Sequence, residues 1–159
     1  VRSVRSRFPD PFRFHIIGRY FGDASHHDLS LVEDIPGKNR LDRKEYVHRV
    51  QRLHYVCLPY ADKYYSLSPS GVLLDAIAFS IPIIAARIPL FEYLFEKYGD
   101  IGFLCETDSD FISTIESLHH QFDPQRHAQQ TRNMKRVKAE RSPEFLAAKY
   151  REACFRFFH

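Results

Sequence analysis

Short apolar runs alternate with longer amphipathic stretches along most of this chain. Phe14-His15-Ile16-Ile17 runs apolar into Gly18-Arg19, which predicts a strand and a turn, and Leu29-Ser30-Leu31-Val32 predicts a second short strand. Pro36-Gly37 marks a loop. Asp42, with Glu45 three residues later, has the form of a capping box. The helix it opens carries Tyr46, Val47, Val50 and Leu53 on one face and Lys44, Arg49 and Arg52 elsewhere. Residues 54–59 read as a buried strand. After a polar, tyrosine-rich loop, Ser68 as N-cap and Pro69 at the first helical position predict a helix to about Phe79, followed by a strand over 82–86. Residues 90–98 suit a helix stopped by Gly99, and residues 101–105 suit a strand. A helix from about Ser109 to His119 follows, with Phe111, Ile112, Ile115 and Leu118 as its apolar stripe. Asp123-Pro124 and Ser142-Pro143 repeat the cap-then-proline signal and open two final helices.

Strands separated by helices of about 10–15 residues imply a parallel sheet. The expected fold class is therefore α/β, a doubly wound parallel sheet with a helical C-terminal tail. Residues 1–12, rich in Arg, Ser and Pro, read as a linker, residues 13–122 as the α/β domain and residues 123–159 as C-terminal helices. In such sheets ligands bind beyond the carboxyl ends of the strands. The helix that opens near Ser68 leaves from that side.

Composition supports a folded chain: 159 residues with 44% hydrophobic, 27% charged and 14% aromatic positions exclude a disordered segment. No run approaches the roughly 18 apolar residues of a membrane span, and the start does not resemble a signal peptide, so a cytoplasmic location is expected. The chain opens on Val1, which points to a processed product or a piece of a larger protein. Cys57, Cys105 and Cys154 are widely spaced and form no CxxC pair, which fits a reducing compartment without a disulfide framework. His26-His27 and His119-His120 are adjacent, so they lack ligand spacing, and no metal is expected. Net charge is +3, but it is unevenly spread: residues 8–123 hold 11 basic against 17 acidic residues, and residues 124–159 hold 9 against 3.

The stretch SPSGVLLDAIAFSIPIIA, Ser68 to Ala85, places one carboxylate, Asp75, inside an apolar run. A helix N-terminus presents unpaired N–H groups and a partial positive charge, which suits phosphate or diphosphate. Ser68, Ser70 and Gly71 add hydroxyls and a position without a side chain. A carboxylate a turn or two further in can accept hydrogen bonds from a ribose diol. The bland alternative is ordinary capping chemistry beside an exposed aspartate. No GxGxxG or GxxxxGKS fingerprint is present.

The series IIGR, LSLVEDI, LDRKEYVHRVQRLHYVCLPY, SPSGVLLDAIAFSIPIIA and FEYLFEKYGDIGFL, spread over residues 13–120, resembles the C-terminal half of GT-B glycosyltransferases. The similarity is to the retaining bacterial kind that builds capsule, exopolysaccharide or lipopolysaccharide. The resemblance implies a Rossmann-like half-domain that binds a nucleotide-diphosphate sugar, with the acceptor, a glycan or a lipid-linked sugar, held by an N-terminal domain absent from this chain. It assigns Asp75 to the ribose hydroxyls and Ser68, Ser70 and Gly71 to the diphosphate. Arg40 and Leu41 belong to the loop where the base sits, and Gly18 and Arg19 to a glycine turn lining the same cleft. It implies no metal cofactor, and it leaves the catalytic residues unassigned. The pattern departs at Leu67, where many relatives carry a second acid, and at Ser80, where glycine is usual.

Rival readings remain. The chain could be a non-catalytic α/β ligand-binding or regulatory module, such as a phospho-receiver, although Asp62 is isolated after its strand. It could also be part of a sugar-nucleotide epimerase. His15, His48 and His54 read as structural, and Tyr60, Tyr64 and Tyr65 as either cleft-lining or packing. The basic cluster Lys135, Arg136, Lys138 and Arg141 allows peripheral contact with an anionic membrane, or else a solvated face turned to the acidic body. Nucleic-acid binding is not expected, because no aromatic-basic interleaving is present.

Overall fold

A computed structural model describes residues 13–17, 32–33, 41–60 and 70–158. The fold is α/β. Among the described residues there are six helices and a three-stranded parallel sheet: α1 (Arg43–Val50), β1 (Val56–Leu58), α2 (Gly71–Phe79), β2 (Ile83–Ala86), α3 (Pro89–Tyr98), β3 (Gly102–Cys105), α4 (Asp108–His120), α5 (Pro124–Glu140) and α6 (Pro143–Phe158). The chain gathers into two compact units. One is drawn from Val1–Leu53 and Thr107–Phe122, the other from His54–Glu106 and Asp123–His159.

The second unit holds the sheet, whose strand order is β1-β2-β3. Val56 pairs with Ile83, and Ile83 in turn with Gly102. Successive strand residues point to opposite faces, yet Ile83, Ile84 and Ala85 are all buried, as a central parallel strand requires. The expected strands over 54–59, 82–86 and 101–105 are present but shorter at their ends. The sheet steps in one direction among the described residues, so the reversal that defines double winding is not part of what they hold.

Helix α2 buries Leu73, Ala76 and Ile77 on one face, the i, i+3, i+4 spacing of a core stripe. Its N-cap is Ser70, not Ser68 as the Ser-Pro pair predicts. The Ser70 hydroxyl accepts from Leu73 N at 3.1 Å and its carbonyl accepts from Leu74 N at 3.0 Å, so the first turn closes two residues later. The helix ends on Ser80, a non-glycine residue held at φ 58°. That left-handed conformation is the one a glycine adopts without strain, and it is the position where the resembled pattern carries glycine.

Helix α5 crosses the amino ends of the strands and packs on α2 and α3. Its buried face is partly polar, with Gln130 and Asn133 beside Met134 and Val137. Gln130 Oε1 accepts from Tyr55 OH at 2.9 Å, just before β1. Gln130 Nε2 donates to Asp100 Oδ1 at 2.8 Å and Gly102 O at 3.3 Å, where β3 begins. Asn133 Nδ2 donates to Asp100 O at 2.8 Å, and Arg126 Nε to Asp100 Oδ2 at 2.8 Å. The helix thereby ties together two strand starts that the sheet itself leaves open. Asp123 caps it by accepting from Gln125 N and Arg126 N. Ser142 caps α6 by accepting from Phe145 N at 3.2 Å.

The first unit holds α1 and α4. Asp42 caps α1 by accepting from Lys44 N and Glu45 N, but the reciprocal half of a capping box is replaced: Glu45 turns its carboxylate to Arg49 Nε at 2.6 Å. The helix stops at Val50, so Leu53 lies beyond the face assigned to it. Helix α4 begins at Asp108 with a full capping box between Thr107 and Asp110, one residue before the expected start. Its stripe of Phe111, Ile112, Ile115 and Leu118 is half-buried. In place of the strand expected at Phe14–Ile17 there is one parallel bridge, His15 to Glu33, closed by Glu33 N donating to Phe14 O at 2.7 Å. The second expected strand, 29–32, falls on described residues only at Val32, which is not in a strand.

Candidate functional site

Three of the residues expected to bind a ligand come together at the start of α2, on the side where β1 ends. Ser70 is the buried N-cap, Gly71 the first helical residue and Asp75 lies one turn further on. Residues four apart on a helix share a face, so Asp75 lies below Gly71 on the side opposite Leu73, Ala76 and Ile77. Gly71 is exposed, and a Cβ added there meets nothing within 4 Å. Val72 and Leu74 stay about half exposed beside it. Asp75 is half-buried. Leu41, by contrast, sits in the first unit, immediately before the α1 cap. Gly18, Arg19, Arg40 and Ser68 lie outside the described residues.

The Ser70 hydroxyl is already engaged. Besides accepting from Leu73 N, it lies 2.5 Å from Tyr60 OH, and either oxygen can donate. Tyr60 lies two residues after β1, and its ring stacks obliquely on Phe91 with centroids 5.9 Å apart. The Tyr60–Ser70 bond fastens the carboxyl end of β1 to the first turn of α2. Ser70 therefore acts as the fixed point of the turn, and the N–H groups of Gly71 and Val72, which no residue of the helix can accept, have no acceptor among the described residues. That pair of N–H groups, an open glycine and a carboxylate one turn below can hold an anion and a polar diol side by side.

One residue at the carboxyl edge was not anticipated. Arg87 follows β2, and its backbone N–H donates to Cys105 O at 2.7 Å. Its guanidinium meets Glu106 Oε1 at 3.0 Å and Glu92 Oε1 at 3.3 Å. Its position just after a predicted strand is the signal that could have flagged it. With two carboxylates on one guanidinium, Arg87 brings little net positive charge to this edge. Among the described residues, no group of three or more His, Cys, Asp and Glu side chains is placed to hold a metal ion. Cys57, Cys105 and Cys154 form no disulfide.

No protein-family model matches this chain. No curated protein matches it either.

Proposed function

We propose that this chain binds a nucleotide-diphosphate sugar and serves as the donor-binding half of a GT-B glycosyltransferase that passes the sugar to a glycan or lipid-linked acceptor. The observation that carries this reading is the shared face of α2, where an open first turn at Gly71 and the carboxylate of Asp75 lie one helical turn apart beyond a parallel strand. The diphosphate lies against the N–H groups of Gly71 and Val72, and Asp75 accepts from the ribose hydroxyls. The motif order along the chain supports the same reading, as does the α/β architecture. In this proposal the half-domain is doubly wound, the acceptor is held by a second domain, and the leaving diphosphate is stabilised by helix dipoles and basic side chains.

The test is a set of thermal melts with UDP, GDP and inorganic pyrophosphate. A ligand bound only by the native state at a hundredfold excess over its Kd stabilises by about 2.7 kcal/mol, a rise of roughly 5–10 °C for a chain this long. Asp75→Asn should weaken the nucleoside diphosphate about 10- to 100-fold, the loss of hydrogen bonds to a charged acceptor, and leave pyrophosphate binding no weaker. No shift with any nucleoside diphosphate at millimolar concentration would sink the proposal. A shift that Asp75→Asn leaves intact would remove Asp75 from it.

A further inference from the structure

Among the described side chains of helix α6, none is fully buried. Leu146 is 51% and Tyr150 72% exposed, and with Ala153, also exposed, they fall at i, i+4 and i+7, one continuous stripe. Phe155, likewise exposed, lies on another side of the helix and takes no part in the stripe. The chain around the stripe is strongly basic, nine cations against three acids over residues 124–159. Some of those cations are engaged: Arg126 with Asp100, Arg156 with Glu152, and Lys149 over the Phe145 ring. Lys135, Arg136 and Lys138, in the last turns of α5, are exposed and have no ion pair among the described residues.

We infer that α6, with the end of α5, rests on an anionic lipid surface, Leu146 and Tyr150 entering the boundary of headgroups and acyl chains while Lys135, Arg136 and Lys138 meet the headgroup charge. A short exposed apolar stripe within a basic stretch of chain is the pattern of a helix that lies in the plane of a membrane. Charge decides against the other occupant, a second copy of this chain. Two such surfaces would bring like charge together, and two or three side chains per copy fall well short of the roughly 800 Å² per partner that a standard interface needs. An anionic bilayer rewards each basic residue separately and needs no complementary shape. The inference is independent of the nucleotide reading.

The test is sedimentation of the full chain with vesicles of phosphatidylcholine alone, and with vesicles containing about one-third phosphatidylglycerol. Binding should be at least about tenfold stronger to the anionic vesicles, and should fall when the salt is raised. Lys135→Glu/Arg136→Glu/Lys138→Glu should lower it about tenfold or more, and Leu146→Ser/Tyr150→Ser by a similar factor. All five side chains are exposed, so the melting temperature should not move. Three results would each overturn the inference: no preference for anionic vesicles, binding indifferent to Leu146→Ser/Tyr150→Ser, or a dimer in solution that this pair of substitutions splits.

Discussion

A Cβ built on Gly71 meets open space, whereas one built on Gly102 would overlap the Ile83 carbonyl, and Gly102 also holds φ at 147°. The two glycines therefore answer substitution in opposite ways. Gly71 has ordinary helical freedom to lose, so Gly71→Ala should stabilise the fold by about 0.5 kcal/mol in urea unfolding. If the diphosphate lies against this turn, the same methyl group blocks it, and the nucleoside diphosphate shift shrinks although the protein is more stable. A core glycine would show loss of both together. Gly102→Ala should cost more than about 3 kcal/mol, because the strand must move away from β2 to accept it. A mild effect at Gly102 would mean that the β2–β3 register gives way easily.

At the scale of the element, burial of the Tyr55 phenol, which bonds to Gln130 of α5, makes the amino edge of the sheet sensitive to pH. Burial pushes the Tyr55 phenol up to about 12, with Asp100 and Asp123 adding to the rise and Arg126 opposing it. The folded form holds its proton more tightly than the unfolded chain, whose tyrosine titrates near 10. This contribution is therefore whole below about pH 10 and is lost as the pH rises from there toward 12. Tyr55→Phe should lower stability by about 1 kcal/mol at neutral pH, since Gln130 Oε1 loses its donor. It should also flatten the decline between about pH 10 and 12 in a series of melts. An alkaline limb of unchanged slope would show that Tyr55 does not govern it.

These elements also show what a sequence can and cannot reveal. Strands β1, β2 and β3 were legible because Val56, Leu58, Ile83, Ile84, Phe103 and Leu104 stand in short apolar runs between turn signals. Helix α3 was legible because Gly99 stops it. Helix α2 was placed correctly, but its cap was not, because Ser68 and Ser70 are chemically alike and only geometry shows which hydroxyl reaches an N–H. Gln130 and Asn133 were invisible as core residues: polar side chains read as solvent-facing until the backbone they bond to is known. The pairing of Tyr60 with Ser70 depends on contact across residues ten apart, which no local pattern encodes. Among the candidate site residues, the helix face joining Gly71 and Asp75 follows from spacing alone, while Leu41 carries no spacing signal that ties it to them.

At the scale of the whole sheet-bearing unit, the proposed function gives the two ends of the strands separate work. The amino end is closed by α5, through Gln130, Asn133 and Arg126, and the carboxyl end carries the open turn of α2. Stability and ligand binding should then be separable. Gln130→Leu strands Tyr55 and Gly102 without their partner at a position 0% exposed, and should cost about 2–4 kcal/mol, or roughly 5–10 °C in the melt. Since the hydrogen bonds of Gln130 run to Tyr55, Asp100 and Gly102, at the amino ends of the strands, the added stability from a saturating nucleoside diphosphate should remain the same in that variant as in the parent. Asp75→Asn should do the reverse, changing the free protein by less than about 1 kcal/mol and removing most of the increment. If the two ends act independently, the double variant should show both losses and no coupling beyond about 0.5 kcal/mol. If Gln130→Leu also erased the nucleotide increment, the two ends would be coupled through α2, and α5 would belong to the binding machinery rather than to the scaffold alone.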